Sequence, residues 1–177
     1  MPATAFTAAL RRHASGVTAI TGRGPSGPVG FAATSFTSVS LSPPLVSFCV
    51  GVGSRSWAAL RAADHFGVNV LSSRQSQLSD RFSRTDVDRF ADIGWWEGHA
   101  GVPLLEGTCA SLACRRWSVL PLGDHMLVVG LVVQAHTGSA DDSPLLYHEK
   151  RYGRPASLHG PEGTGRAATP RPSVLPC

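Results

Sequence analysis

The sequence has little of what usually reveals a function through composition alone. Lysine is nearly absent: Lys+Arg total 16, and Lys150 is the single lysine. Charged residues make up 16% of the chain and the net charge is only +4, spread without a basic run or an interleaving of basic and aromatic side chains. That excludes a nucleic-acid groove. Cysteine is sparse, at positions 49, 109, 114 and 177, with no CxxC pair. Cys109 and Cys114 are spaced to fall on opposite faces of one strand, so free thiols in a reducing compartment are expected in place of zinc ligands or disulfides. The histidines are scattered without ligand spacing, and no metal is expected. No apolar run reaches membrane length and no signal peptide opens the chain; the expected location is the cytoplasm, with no membrane partner. There is no internal repeat.

The 177 residues, 42% hydrophobic, suffice for one domain with a substantial core. Residues 5–14 read as a short amphipathic helix turning Phe6, Ala9, Leu10 and His13 toward that core, stopped by Ser15-Gly16. Residues 17–21 and 29–38 read as strands, 40–44 as a stiff Pro43-Pro44 loop, and 45–50 as a strand buried on both faces. Short helices follow at 55–63 and 76–82, with a strand at 66–71 between them. Residues 85–101 are the least regular part, with Trp95-Trp96 in an exposed loop. Strands at 108–120 and 125–135 form a hairpin around Pro121–Asp124, residues 137–143 turn again, and 145–147 make a last strand. From 155 to 177 the chain is rich in Pro, Gly, Ala and Arg, and disorder is expected. The domain is thus 1–154, mainly β: six or more strands and three short helices in a closed antiparallel barrel.

One stretch stands apart. From Gly30 the chain carries no charge until Arg55, yet it is dense in hydroxyls, at Thr34, Ser35, Thr37, Ser38, Ser40 and Ser42. Buried hydroxyls need partners. It closes on Gly51-x-Gly53-Ser54-Arg55-Ser56, where Ser54 suits a helix N-cap and the glycines let backbone approach a ligand. Free amides, two serines and an arginine at a helix start suit a phosphate. Spacing alone fits an ordinary capped surface helix equally well. The segment is no P-loop, lacking the Lys. Gly22–Gly27, GRGPSG, fits GxGxxG but contains Pro25 and leads into a further strand, so a hairpin turn explains it. A hydroxyl-rich wall beside a phosphate cup suits a phosphorylated aromatic cofactor, flavin best, with Thr34, Ser35, Phe36 and Ser38 offering polar partners and an apolar face.

The chain resembles the flavin reductases of the FMN-binding split-barrel fold. The resemblance is carried by Ala33–Leu41, Pro43–Ser47, Ser54-x-Ser56-x-x-x-Leu60, Phe66–Leu71, Gly123-Asp124-His125 and Leu145–His148 followed by Tyr152-Gly153, and it spans residues 6–154 in order. It implies an antiparallel split barrel that binds FMN or FAD and reduces it with NADH or NADPH, hydride passing from the nicotinamide to the flavin. It further implies a homodimer that supplies reduced flavin to a partner flavin-dependent monooxygenase. By position, Ala33, Thr34, Ser35, Phe36 and Ser38 would face the isoalloxazine and ribityl, with Cys49, Val50 and Gly51 behind them. Ser54, Arg55 and Ser56 would hold the phosphate, and Arg81 and Phe82 would close the site. His148, His125 and Tyr152 would meet the nicotinamide nucleotide. Arg81 also reads as a solvated helix residue, Phe82 as core, and His125 as a ring bonded to its turn through Asp124. Two positions depart from the family pattern: Ser42, where an acid is common, and Glu149, where small or basic residues are frequent, which leaves NADH versus NADPH open. A non-catalytic flavin- or haem-binding module of the same barrel is the competing reading. A pyridoxamine-phosphate oxidase relative is disfavoured by the Thr34–Leu45 stretch and the Gly-Asp-His turn.

Overall fold

The structure, a computed structural model, describes residues 1–139 and 142–157. Its frame is one seven-stranded antiparallel sheet in the order β3-β2-β6-β9-β10-β5-β4. These strands are β2 (Thr18–Gly24), β3 (Gly27–Ala33), β4 (Thr37–Leu41), β5 (Pro44–Gly51), β6 (His65–Val70), β9 (Ala110–Leu122) and β10 (His125–Thr137). β1 (Ser15–Gly16), β11 (Leu146–His148) and β12 (Arg151–Gly153) form a small second sheet, and β7 (Trp95–Glu97) pairs with β8 (Pro103–Leu105) in a ribbon. Three helices complete the described chain: α1 (Ala3–Leu10), α2 (Arg55–Leu60) and α3 (Ser76–Ser83).

The large sheet coils on itself but does not close, which corrects the expected closed barrel and leaves a split one. Aromatic side chains fill its interior. Phe31 of β3 lies edge-on to Phe48 of β5 at 5.9 Å, and Phe48 meets Phe66 at 5.3 Å. With Ile20, Val68 and Val128 these rings form the inner core. Across the split, Ser35 Oγ accepts from Cys49 N–H at 2.9 Å and donates to Cys49 C=O at 3.1 Å. One hydroxyl thereby does the work of a missing ladder pair. A second apolar cluster, with Val17, Leu71, Phe82, Leu105 and Leu145, ties α3 and the β8 and β11 segments to the barrel.

Four further expectations are revised. The strand read as 29–38 ends at Ala33; residues from Thr37 start β4, which pairs back onto β5 through a tight Ser42-Pro43 turn, so the expected 40–44 loop is largely ladder. A run of hydroxyls and small residues has no periodicity that marks such a break. α1 buries none of its residues: Phe6 is 50% exposed and Leu10 55%. Among the described residues, none covers its apolar side. Trp95-Trp96 is a strand, not an exposed loop; Trp95 packs on Phe90 and Trp96 on His136. His148 lies within β11, and its hairpin turns at Glu149-Lys150, both in the left-handed region with φ of 49° and 64°. The expectation of disorder concerns mainly residues 158–177, which lie outside the described residues, as does part of the 137–143 turn.

Asn69, buried on β6, holds the sheet to the ribbon. Its Nδ2 donates to Ala19 C=O and Thr21 Oγ1, while its Oδ1 accepts from Leu105 N–H at 2.8 Å and Ser111 Oγ at 3.1 Å. The side chain thus serves β2, β8 and β9 at once. Replacing Asn69 with Ala strands buried partners that no water reaches, and we expect a loss of about 2–3 kcal/mol. A thermal melt should fall by roughly 5–10 °C; an unchanged midpoint would show that the network carries no net stability.

Candidate functional site

The site grows from the end of β5. There the chain leaves the barrel through Gly51 and Gly53 and enters α2, whose N-cap Ser54 Oγ accepts from Trp57 N–H at 3.2 Å. Trp57 and Leu60 are buried and fix the helix to the barrel wall. The first-turn amides of Arg55 and Ser56 have no acceptor within the helix. On the other side α3 presents Phe82, fully buried, against β3 at Gly30. A Cβ added at Gly30 would stand 2.7 Å from Ile20 C=O and 2.8 Å from Phe82 Cε1, so only glycine lets this ring approach.

Between these elements lies a cavity of about 800 Å³. It brings together eleven of the residues marked by sequence: Ala33, Thr34, Ser35, Cys49, Val50, Gly51, Ser54, Arg55, Ser56, Phe82 and His125. The others stand elsewhere. Phe36 packs on the inner core, and Ser38 is exposed on β4 opposite Val46. Arg81 donates to Ala91 C=O and faces a smaller neighbouring cavity. Tyr152 places its Oη 2.9 Å from Ser79 Oγ and 2.7 Å from Asp80 Oδ1 on α3, packs against the second apolar cluster and does not line the large cavity. His148 is exposed on the small sheet and does not line the large cavity.

Sequence reasoning missed Arg89. It sits in the segment after α3, half-buried, and its Nη1 donates to Gly30 C=O at 2.6 Å and to Ser56 Oγ. Its Nε and Nη2 donate to Arg84 C=O. Burial holds its guanidinium below the ordinary value, and the nearby charge of Arg55 adds to the effect. Among the described residues neither arginine is paired with a carboxylate. Asp88, in the same wall, spends its Oδ1 on Phe90 N–H. Two neighbouring cations with no ion-pair partner among the described residues, in the lining of a cavity, leave a place that an anion stabilises. No signal in the sequence could have found Arg89: it lies in an irregular stretch where spacing carries no geometry.

His125 faces Gly51 across the β10–β5 ladder, a Cβ on Gly51 would meet His125 Nε2 at 4.0 Å, and Gly51 C=O accepts from Ser54 N–H at 3.0 Å. The imidazole Nδ1 lies 2.6 Å from Asp124 Oδ1. That hydrogen bond, and secondarily the charge of His125, holds the Asp124 carboxyl below the usual range. The pairing is therefore in place above ordinary carboxylate pKa values and is lost as pH falls through the depressed one. Because the carboxylate can only accept, Nδ1 carries the proton and Nε2 is left to face the cavity.

The donor set fits a flavin phosphate and ring. Two guanidinium groups, the Ser54–Ser56 turn and first-turn amides share the lining with Ala33–Ser35 and Cys49–Gly51, which offer backbone, hydroxyl and small apolar surface. Among the described residues no three His, Cys, Asp or Glu side chains group as metal ligands, and no helix is long and apolar enough to cross a membrane.

Comparison with known proteins bears on the fold and the family. The sequence model of the flavin reductase like domain matches residues 10–156. The NADH:FMN oxidoreductase of Rhodococcus qingshengii is 46% identical over 157 residues, covering 86% of this chain and 82% of the relative. The flavin-dependent monooxygenase reductase subunit HsaB of Mycobacterium tuberculosis is 40% identical over 148 residues, covering 83% of this chain and 79% of its own. Among solved structures, the NADH:FAD oxidoreductase SgcE6 of Streptomyces globisporus C-1027, in complex with NAD and FAD fragments, superposes with a TM-score of 0.82 at 34% identity. That superposition covers 89% of this chain and 94% of SgcE6. With its fold, its cavity and its sequence in agreement, the chain belongs to the flavin reductase like domain family.

Proposed function

We propose that this chain is an NAD(P)H-dependent flavin reductase that passes reduced flavin to a partner flavin-dependent monooxygenase. The observation that carries the reading is the Arg55–Arg89 pair, neither member ion-paired among the described residues, in the lining of an 800 Å³ cavity that also offers backbone and hydroxyls. Relatives named as NADH:FMN oxidoreductase and as a monooxygenase reductase subunit support the donor, the acceptor and the oxygenase partner. Such a reaction belongs to the cytoplasm, where nicotinamide nucleotides are kept.

Bound flavin supplies the hydride acceptor, and the chain supplies position. Arg55, Arg89 and the Ser54–Ser56 turn hold the phosphate. Ala33, Thr34, Ser35 and Cys49–Gly51 lie along the ring and ribityl, with Ser35 already fixed by its two bonds to Cys49. His125, oriented by Asp124, offers Nε2 to the nicotinamide at the rim. His148 and Tyr152 are assigned to the nucleotide, and Phe36 and Ser38 to the flavin, by the resemblance alone. Proximity and alignment then account for most of the rate.

The homodimer has a supporting surface. In ladder register Leu120, Leu127 and Cys49 share the outer face of β9, β10 and β5, joined there by Val129, Leu131 and Leu45. Leu120 and Leu122 are 47% and 55% exposed. Contiguous apolar surface of this kind marks an interface. Cys49 lies in both this face and the cavity wall, so a second copy would cover the rim.

Three measurements test these readings. Purified protein should oxidise NADH or NADPH, followed at the nicotinamide band, only when FMN or FAD is added; His125→Ala should lower kcat/KM for the nucleotide about tenfold, as for one lost hydrogen bond, while sparing flavin affinity. No oxidation by protein that holds flavin tightly would make it a binding module instead. Arg89→Ala should raise the Kd for FMN about 10- to 100-fold, the range for hydrogen bonds to a charged group; an unchanged Kd would remove Arg89 from the phosphate site. Light scattering should give twice the chain mass for the wild type and a lower mass for Leu120→Asp; a monomeric wild type would rule the dimer out.

A further inference from the structure

α1 has no packing partner among the described residues of its own chain. Isolated helices shorter than about 12–15 residues are marginal in water and are held instead by burying an apolar face. α1 has eight residues and buries none of them. Phe6 and Leu10 stand one turn apart on one face, both exposed. Ala3–Leu10 carries no charged side chain, where a helix made to lie in water would carry several. What ties α1 to the rest of the chain lies past its last residue: Glu149 N–H donates to Arg11 C=O at 3.3 Å, and Arg12 pairs with Glu149. The helix is held out from the barrel by one end with its apolar side open.

The chain has a second open surface of the same character. Leu120 and Leu122 are exposed on β9, and in register Leu120 faces Leu127 of β10. Val52, also exposed, joins this surface at the turn, where its N–H donates to Asp124 C=O at 3.1 Å. Charge stands only at the two ends of the face. Asp124 projects its carboxylate into solvent beyond Leu122, and Arg115, opposite Leu131, bounds the other end.

The helix and the face match in spacing and in charge. Phe6 and Leu10 lie about 6 Å apart along a helix, and Leu120 and Leu122 about 7 Å apart along a strand. Arg11 follows Leu10, exposed and without an ion pair among the described residues. A helix running in the direction of β9 brings Arg11 to Asp124; the reverse orientation would turn Arg11 and Arg12 toward Arg115. Every copy carries one such helix and one such face, so a single twofold axis satisfies both contacts and leaves nothing to recruit a third copy.

We propose that α1 seats on the β9–β10 face of a second copy, with Phe6 against the partner's Leu120, Leu10 against the partner's Leu122 and Val52, and Arg11 against the partner's Asp124, so that two exchanged helices hold the homodimer. The proposal rests on the homodimer reading above and names what covers its sheet face.

The experiment measures the dimer dissociation constant of the full chain by sedimentation over a dilution series. Phe6→Asp and Leu10→Asp should each raise it about tenfold or more, the range for apolar anchors at an interface. Because α1 buries nothing in its own chain, circular dichroism should show both variants folded. Arg11→Asp should weaken the dimer, and Arg11→Asp combined with Asp124→Arg should recover most of the loss. A dimer unchanged by Phe6→Asp and Leu10→Asp but dissociated by Leu120→Asp would keep the sheet face as the interface and overturn the seat of α1. A double charge variant no tighter than Arg11→Asp alone would overturn the orientation. A monomeric wild type would overturn this proposal and the homodimer reading together.

Discussion

The packing of Phe82 onto Gly30 is the contact on which the site depends. Phe82 is fully buried against a backbone that a single methyl group would obstruct, at 2.8 Å from its ring. Seating that ring anchors the C-terminal end of α3, and with it the start of the segment from Arg84 to Phe90. Phe90 then meets Phe82 at 5.3 Å and Trp95 at 6.2 Å, so an aromatic row carries the contact on to the β7–β8 ribbon. Only with the segment held this way can Arg89 reach back to Gly30 C=O and to Ser56. One absent side chain on β3 thus sets both the shape of the cavity and the position of its second cation.

Arg89 is desolvated and repelled by Arg55, yet its neutral acceptors, two carbonyls and a hydroxyl, hold it in place without cancelling its charge. A carboxylate in their place would stabilise the empty protein and weaken the attraction for a phosphate by a comparable amount. Left-handed non-glycine backbone occurs at Asp92, Ala100, Glu149 and Lys150. Glu149 and Lys150 both occupy left-handed backbone, at roughly 1–2 kcal/mol per residue for L side chains. The hairpin is held by the ion pair of Glu149 with Arg12 and by Glu149 N–H donating to Arg11 C=O at 3.3 Å. α1, which buries nothing, is docked to the rest of the chain at this point by its C-terminal end.

Legibility in the sequence followed locality. Ser54 as a cap, the α2 and α3 helices, the β9–β10 hairpin and its Gly123-Asp124 turn are each fixed by a few adjacent residues, and each is found where the residues put it. The Ala33–Ser35 and Cys49–Gly51 walls were legible because a long uncharged, hydroxyl-rich run is unusual for core. What could not be read depends on contacts distant in sequence. The break after Ala33 is dictated by Ser35 bonding to Cys49, and the open edge of the barrel by rings from β3 and β5. Arg89 meets Ser56 across 33 residues and Gly30 across 59. Trp95-Trp96 looked like a loop because its pairing partner, Pro103–Leu105, contains a proline and only three residues.

The division of labour in the site follows from the same geometry. A hydride transfer between two planar rings requires no charged nucleophile, so the chain need only fix two planes and exclude alternatives. Charge in the lining is confined to Arg55, Arg89 and Asp88, and apart from His125 the rest is backbone, hydroxyl and apolar side chains, Phe31, Phe82 and Phe90 among them. A phosphate alone would satisfy the cations, so they cannot discriminate a flavin from any other phosphorylated molecule. Discrimination must come from the wall, where Ser35 is held on both sides of Cys49 and Gly51 leaves open the space beneath the His125 ring. Affinity and selectivity are therefore separable in this fold: the first lies in the α2–Arg89 corner, and the second in the split between β3 and β5.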